Sequence, residues 1–136
     1  MSKAIDRYLY TVSILHEQYY CVRSVDVAHF LDVSKVSVST FVRQAKDRGV
    51  LEMEADENLR LTLKGKEHAA RLDSRIRFFR QVLLNAGVKP AIALRDSISF
   101  SWEMSDESYE AFQSAYSPPR TPDIGSERVQ SHSFSP

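Results

Sequence analysis

The sequence predicts a mainly α fold with a small β-wing: an N-terminal winged helix-turn-helix, then a long connecting helix and a short helical dimerisation segment. Three observations predict it. Residues 22–48 hold two short helical stretches joined by Asp32-Val33-Ser34 and stopped at Gly49. Residues 50–53 and 59–63 alternate apolar and polar side chains around the polar run 54–58, the pattern of a two-stranded hairpin. Residues 64–86 then repeat apolar positions at helical spacing until Gly87, with Pro90 just beyond.

Each element has a local reason. In residues 4–18, Ile5, Leu9, Val12, Leu15 and then Tyr19 form one helical stripe, with Tyr8 beside it. Ser24 is suited to cap the second helix, because its hydroxyl can accept from the free amides of the first turn. Val25, Ala28, Phe30 and Leu31 supply that helix's buried side. Ser34 caps the third helix, in which Val36, Val38, Phe41, Val42 and Ala45 are expected to pack inward. Gly49 ends it in the left-handed conformation that glycine tolerates. Thr62 caps the connecting helix of residues 64–86, and a shorter helix spans residues 90–102. Ser105 opens the last helix, with Asp106 and Glu107 in its first turn where the helix dipole favours acid. Tyr109, Phe112 and Tyr116 are expected on its buried faces.

The chain then changes character. Residues 117–136 contain four of the five prolines and many serines, with Ile124, Val129 and Phe134 as the only large apolar side chains. Such a segment buries too little surface to offset its ordering entropy, so a disordered tail is expected. The expected organisation is a winged helix-turn-helix DNA-binding domain over residues 1–70, a helical dimerisation domain over 71–116 and the tail. No internal repeats are visible.

Composition narrows the function. With 136 residues, 43% apolar and 26% charged, the chain can build one compact domain, or a domain with a small appendage. The formal net charge is +0, low for a nucleic-acid binder. The distribution matters more. Residues 34–48 carry Lys35, Arg43, Lys46 and Arg48 against Asp47 alone, a local net of +3 that can steer toward phosphates. The single cysteine, Cys21, excludes an intramolecular disulfide and a Cys-rich zinc site, and reads as a small apolar residue. There is no basic-then-apolar leader and no apolar run near the roughly 18 residues a span requires, so no membrane partner and a cytoplasmic location are expected. No nucleophile elbow, phosphate loop or His–carboxylate framework is present, and an enzyme is not expected.

The third helix has the chemistry of a DNA reader. Its outward residues are Lys35, Ser37, Ser39, Thr40, Arg43, Gln44 and Lys46. Short hydroxyls reach bases or phosphates at close approach, Gln pairs with adenine and Arg with guanine, each bidentate pair discriminating by about 1–3 kcal/mol. Lys35, Lys46 and Arg60 of the wing suit phosphate. The wing tip opposes this, since Glu52, Glu54, Asp56 and Glu57 repel a phosphate backbone.

Phrases spread along the chain carry a family resemblance. They are Tyr8-Leu9, Val25-Asp26-Val27-Ala28, Ser34-Lys35-Val36-Ser37-Val38-Ser39, Leu61-Thr62-Leu63-Lys64-Gly65, Leu83-Leu84-Asn85-Ala86-Gly87-Val88 and Trp102-Glu103-Met104-Ser105-Asp106-Glu107. Over residues 4–112 the chain resembles the diphtheria-toxin-repressor family of metal-dependent transcription regulators, in its small manganese-transport-regulator branch. That resemblance implies a homodimeric regulator, a repressor in type, that binds a palindrome when manganese or iron fills a site between its domains. Carried over position by position, the ligand positions fall on Arg7, Tyr10, Ile76, Ile98, Ser101 and Trp102. None suits a hard divalent cation, which wants carboxylate oxygens and imidazole. No metal cofactor is therefore expected, and the site would be filled as hydrophobic core. His16-Glu17, His68, Asp73, Asp96 and Glu103 are scattered, and His29 precedes the recognition helix as a surface residue.

Phe78, Phe79, Val82 and Leu83 of the connecting helix, with Leu84, Phe100, Trp102, Tyr109 and Phe112, offer more apolar surface than so small a segment covers from within. A homodimer is expected there. The leading reading is a homodimeric regulator that reads a palindromic operator through the major groove without metal gating. Two others stand beside it: a winged-helix protein-interaction module that modulates another regulator, and a metal-responsive regulator with a relocated site. Any protein effector is left open.

Overall fold

The stripe on the first helix is where the fold starts. In the computed structural model, which describes residues 3–116, α1 (Lys3–Leu15) buries Ile5, Tyr8, Leu9, Val12 and Leu15 along one side. The helix ends earlier than its stripe. Residues 16–18 turn away, and Tyr19 stands exposed instead of extending the buried face. Against α1 lie α2 (Ser24–Leu31) and α3 (Lys35–Asp47), with Tyr8 stacked on Phe41 at 4.7 Å between ring centroids.

The second helix differs from its sequence reading in two ways. Its cap is Arg23, whose backbone N–H donates to the Asp26 carboxylate at 2.8 Å, so Ser24 is the first helical residue. The acid three residues on thus satisfies the N-cap amide, where a capping hydroxyl would have accepted from the first turn. Its buried residues are Val27 and Ala28, while Val25 is exposed and Phe30 and Leu31 are half-buried. Eight residues make little more than two turns, too few for periodicity to fix which arc faces inward. Asp32 then takes a left-handed conformation (φ 55°) and turns the chain into α3. There Ser34 caps as expected, its Oγ accepting from the Ser37 amide at 3.0 Å. Gly49, at φ 71°, follows the helix end.

The wing comprises β1 (Leu51–Met53) and β2 (Leu59–Leu61), antiparallel with Glu52 opposite Arg60, joined through a short 3-10 turn at Ala55–Glu57. It is fastened at its base. The Leu59 amide donates to the Val22 carbonyl and the Val22 amide to Asn58 Oδ1, both at 2.8 Å, and His16 Nε2 donates to the Leu59 carbonyl at 2.6 Å. Thr62 joins the wing to α4 (Leu63–Asn85). Its hydroxyl accepts from the Gly65 amide at 3.1 Å and donates to the Gly49 carbonyl at 2.7 Å. At Gly65 the helix backbone is so close to β1 that an added Cβ would lie 2.0 Å from the Val50 carbonyl oxygen.

Two cores result. The first runs from Ile5 to Ala69 and belongs to the winged unit. The second is Leu72, Ile76 and Ile98, between α4 and α5 (Pro90–Glu103). Tyr10, Phe30 and Leu31 pack against both. α6 (Asp106–Ala115) is capped by Ser105 and held to α4 by Arg75. That guanidinium donates to the Met104 carbonyl at 2.6 Å and to Asp106, and lies 4.9 Å from the Tyr109 ring centre. Tyr109 is buried, but Phe112 and Tyr116 are exposed, contrary to expectation, because nothing among the described residues covers α6 on that side. Between α1 and α4, Asp6 and His68 face each other at 3.7 Å, both shielded from water. Burial pushes the Asp6 carboxyl above its ordinary value of 3.8, against the pull of His68 and Arg71. The expected tail lies outside the described residues, and no helix among those described is long and apolar enough to cross a membrane.

Two outcomes follow for stability. Gly65→Ala forces a methyl against a carbonyl that cannot move without the wing, and should cost about 3 kcal/mol. In thermal melts that is a Tm lowered by roughly 10 °C; an unchanged Tm would disprove the close approach. Asp6, with its folded pKa above the unfolded one, holds extra proton when folded, so its contribution is lost as pH rises through the folded value. Asp6→Asn should therefore stabilise the protein in urea melts at about pH 7, with the gain shrinking by about pH 4. A destabilised variant at neutral pH would mean that the ion pair outweighs burial.

Candidate nucleic-acid interface

The third helix sets the geometry of this surface. At about 3.6 residues per turn, burying Val38, Phe41, Val42 and Ala45 leaves Lys35, Ser37, Ser39, Arg43, Gln44 and Lys46 exposed and Thr40 half-exposed. Val36 was expected to pack inward. It is 75% exposed and shares the centre of the outward arc with Arg43. Counting from the four buried positions on a helical wheel would have found it; apolar character alone misplaced it.

The outward residues divide between two grooves. Lys35, Ser39, Arg43 and Lys46 line the larger, about 610 Å³, together with Arg23 and Ser24 of the neighbouring helix start and Met53 and Glu57 of the wing. Ser37, Thr40 and Gln44 line the smaller, about 280 Å³, with Val36, Ala4, Ile5 and Tyr8. The larger groove collects Arg23, Lys35, Arg43 and Lys46 against Asp47 and Glu57, so the local basic excess lines one groove. Arg23 was not singled out from the sequence, because only the fold carries it beside α3.

The wing turns inward on itself. Arg60 Nε lies 2.9 Å from Glu54, and the hydrogen bonds from Arg60 and then Asn58 hold the Glu54 carboxyl below its usual range. Asp56 and Glu57 sit at the tip with left-handed backbone (φ 61° and 60°). Arg23 Nε donates to the Asp56 carbonyl at 2.8 Å, which ties that tip to the start of α2.

The six positions assigned to a metal by resemblance come together where α1, α4 and α5 meet. Ile76, Ile98 and Ser101 are buried there, with Tyr10 and Trp102 half-buried. Ser101 Oγ donates to the Ser97 carbonyl at 2.5 Å. Burial first, then the Asp73 and Glu17 carboxylates, push the Tyr10 phenol up to about 12. Arg7 lays its guanidinium 4.5 Å from the Trp102 ring centre and 5.0 Å from that of Tyr8. Alkyl groups, a neutral phenol, an indole and a guanidinium do not fit a hard divalent cation. Among the described residues no group of three His, Cys, Asp or Glu side chains is arranged to hold one. His16, a candidate ligand in sequence, is engaged with the Leu59 carbonyl.

The expected dimer residues lie on the far end of α4. Phe79 is 5% exposed, enclosed by the rings of Phe78, Phe100, Tyr109 and Phe112 at 5.1–6.2 Å. It is consumed by the chain's own packing. Phe78, Val82 and Leu83 are half-buried, and Phe100 (46%) and Phe112 (52%) present the open apolar surface beside them.

No family model matches the chain. It is 31% identical over 109 residues to the transcriptional regulator MntR of Escherichia coli, covering 80% of this chain and 70% of that protein. Against MntR of Salmonella typhimurium it is 31% identical over 108 residues, covering 79% and 69%. Among solved structures it resembles the manganese regulator SloR, with a TM-score of 0.59 at 21% identity over 82% of this chain and 54% of the other. It also resembles a hypothetical protein from Sulfolobus solfataricus, with a TM-score of 0.50 at 18% identity over 92% and 96%. The two structures bear on fold alone. The sequence relatives bear on descent, and through them the chain belongs to the MntR branch of the diphtheria-toxin-repressor family of transcriptional regulators.

Proposed function

We propose that this protein is a homodimeric DNA-binding regulator that reads a palindromic operator with α3 in the major groove, independently of a divalent metal. The observation that carries the reading is the outward face of α3, bare along its length and flanked by a groove with four basic side chains. Arg43 and Gln44 suit base edges, and Val36 at the apex suits a thymine methyl. Lys35, Lys46 and Arg23 suit phosphates, with Ser37, Ser39 and Thr40 close enough to the backbone to help register the helix. Arg60 reaches phosphate only by leaving Glu54, an exposed ion pair worth at most about 1 kcal/mol. The open surface around Phe100 and Phe112, continued by Phe78, Val82 and Leu83, supports a second copy as the partner. The mismatched donor set at the α1–α4–α5 junction supports independence from metal.

One observation favours a second reading. The wing holds its own cation internally and displays acid at its tip, as a protein-interaction module would rather than a duplex binder. The double variant Arg43→Ala, Gln44→Ala separates the two, since both side chains are exposed and the fold should survive. Binding to a duplex selected from random DNA by the wild type should fall by about 100-fold, the loss of two base contacts at about 1–3 kcal/mol each. Binding to unrelated DNA should change only a few-fold. Unchanged specific binding would refute the α3 assignment.

A further inference from the structure

A cation that belongs to the chain lies at the junction between the winged unit and the helical segment. Arg7 projects from α1, on the winged side, and Trp102 from α5, on the helical side. The guanidinium lies over both the Trp102 ring and the Tyr8 ring, and donates from Nη2 to the Tyr8 hydroxyl at 3.4 Å. Its Nε is buried without a hydrogen-bond partner. Among the described residues no carboxylate pairs with it, so ring faces are the main compensation for its charge. The Arg7 side chain is half-buried, and a partly desolvated cation is held more firmly by an aromatic face than a fully exposed one. Trp102 in turn packs against the core of Leu72, Ile76 and Ile98.

We infer that Arg7 is a positioning residue: its contact with Trp102 fixes the winged unit against the helical segment and so sets the distance between the two recognition helices of a dimer. The consequence for spacing rests on the dimeric DNA-binding reading. The positioning itself does not. A charge tethered to α1 cannot dissociate, so the relative orientation of the two units is set by folding and needs no bound ion. Arg7 occupies one of the positions that the resemblance assigns to a metal.

Trp102 is the sole tryptophan of the chain, which makes it a clean reporter. The full chain is compared with Arg7→Met, Arg7→Lys and Trp102→Leu in EDTA, with far-UV circular dichroism as the check on folding. In Arg7→Met, acrylamide quenching of Trp102 should rise about twofold, and amide exchange should quicken in α1 and α5 while the β1–β2 wing keeps its protection. Arg7→Lys should restore most of the wild-type quenching, because an ammonium also binds a ring face. On a selected palindrome, Arg7→Met and Trp102→Leu should each lose about tenfold in affinity and tolerate a half-site spacing changed by one base pair. Binding to a single half-site should be nearly unaltered. Should Arg7→Met not fold, the same comparison on Trp102→Leu, read by amide exchange and spacing tolerance, decides the matter. If the wild type selects no duplex at all, the DNA reading fails and quenching and exchange still judge the positioning role. Wild-type quenching and exchange in Arg7→Met would overturn it, and wild-type spacing discrimination by a folded variant would overturn its part in DNA recognition.

Discussion

The winged unit and the connecting helix meet at a backbone contact that admits only hydrogen. Gly65 brings the first turn of α4 onto the Val50 carbonyl, and Thr62 fastens the same turn to the Gly49 carbonyl. Gly49 and Val50 also follow directly on the end of α3. One short stretch therefore determines where α3 ends, where β1 starts and which way α4 departs. Because α4 continues past Ala69 into the second core, any orientation set at Gly65 is transmitted along a single rigid element.

Charge acts locally in this molecule. A net charge of zero gives no long-range pull toward a polyanion, yet the fold concentrates Arg23, Lys35, Arg43 and Lys46 on one groove and pairs the wing's cation with its own acid. With screening over about 10 Å at ordinary salt, what a phosphate meets is that groove and not the distant balance. The helix-borne face and the self-satisfied wing thus point to recognition resting on α3 and the start of α2, with the wing serving to brace them.

Much of this was readable in the sequence, and the misses have physical causes. Caps at Ser34, Thr62 and Ser105, and the left-handed glycines at Gly49 and Gly87, act through neighbouring amides, so local sequence suffices to find them. The element order followed from long apolar periods. The short α2 defeated the same method, its inward arc moving to Val27 and Ala28, and in α3 apolar character alone misplaced Val36, which turned out to water. Long-range groupings were beyond reach. That Arg23 joins the basic groove, that Arg75 pins α6, or that Phe79 is enclosed by rings from three helices depends on tertiary contacts that no spacing rule encodes. The convergence of Arg7 with Trp102 was visible only through resemblance, and its geometry only in the structure.

On the proposed reading, the two cores and the junction with its resident guanidinium fix the binding geometry at folding. The most direct measurement is a fluorescence-anisotropy titration of the full chain against the DNA upstream of its own gene, at two salt concentrations, first in EDTA and then with manganese. The account predicts tight, salt-sensitive binding that is the same in both buffers, with affinity falling steeply as salt rises, as released counterions require. Binding that appears only with manganese would contradict it.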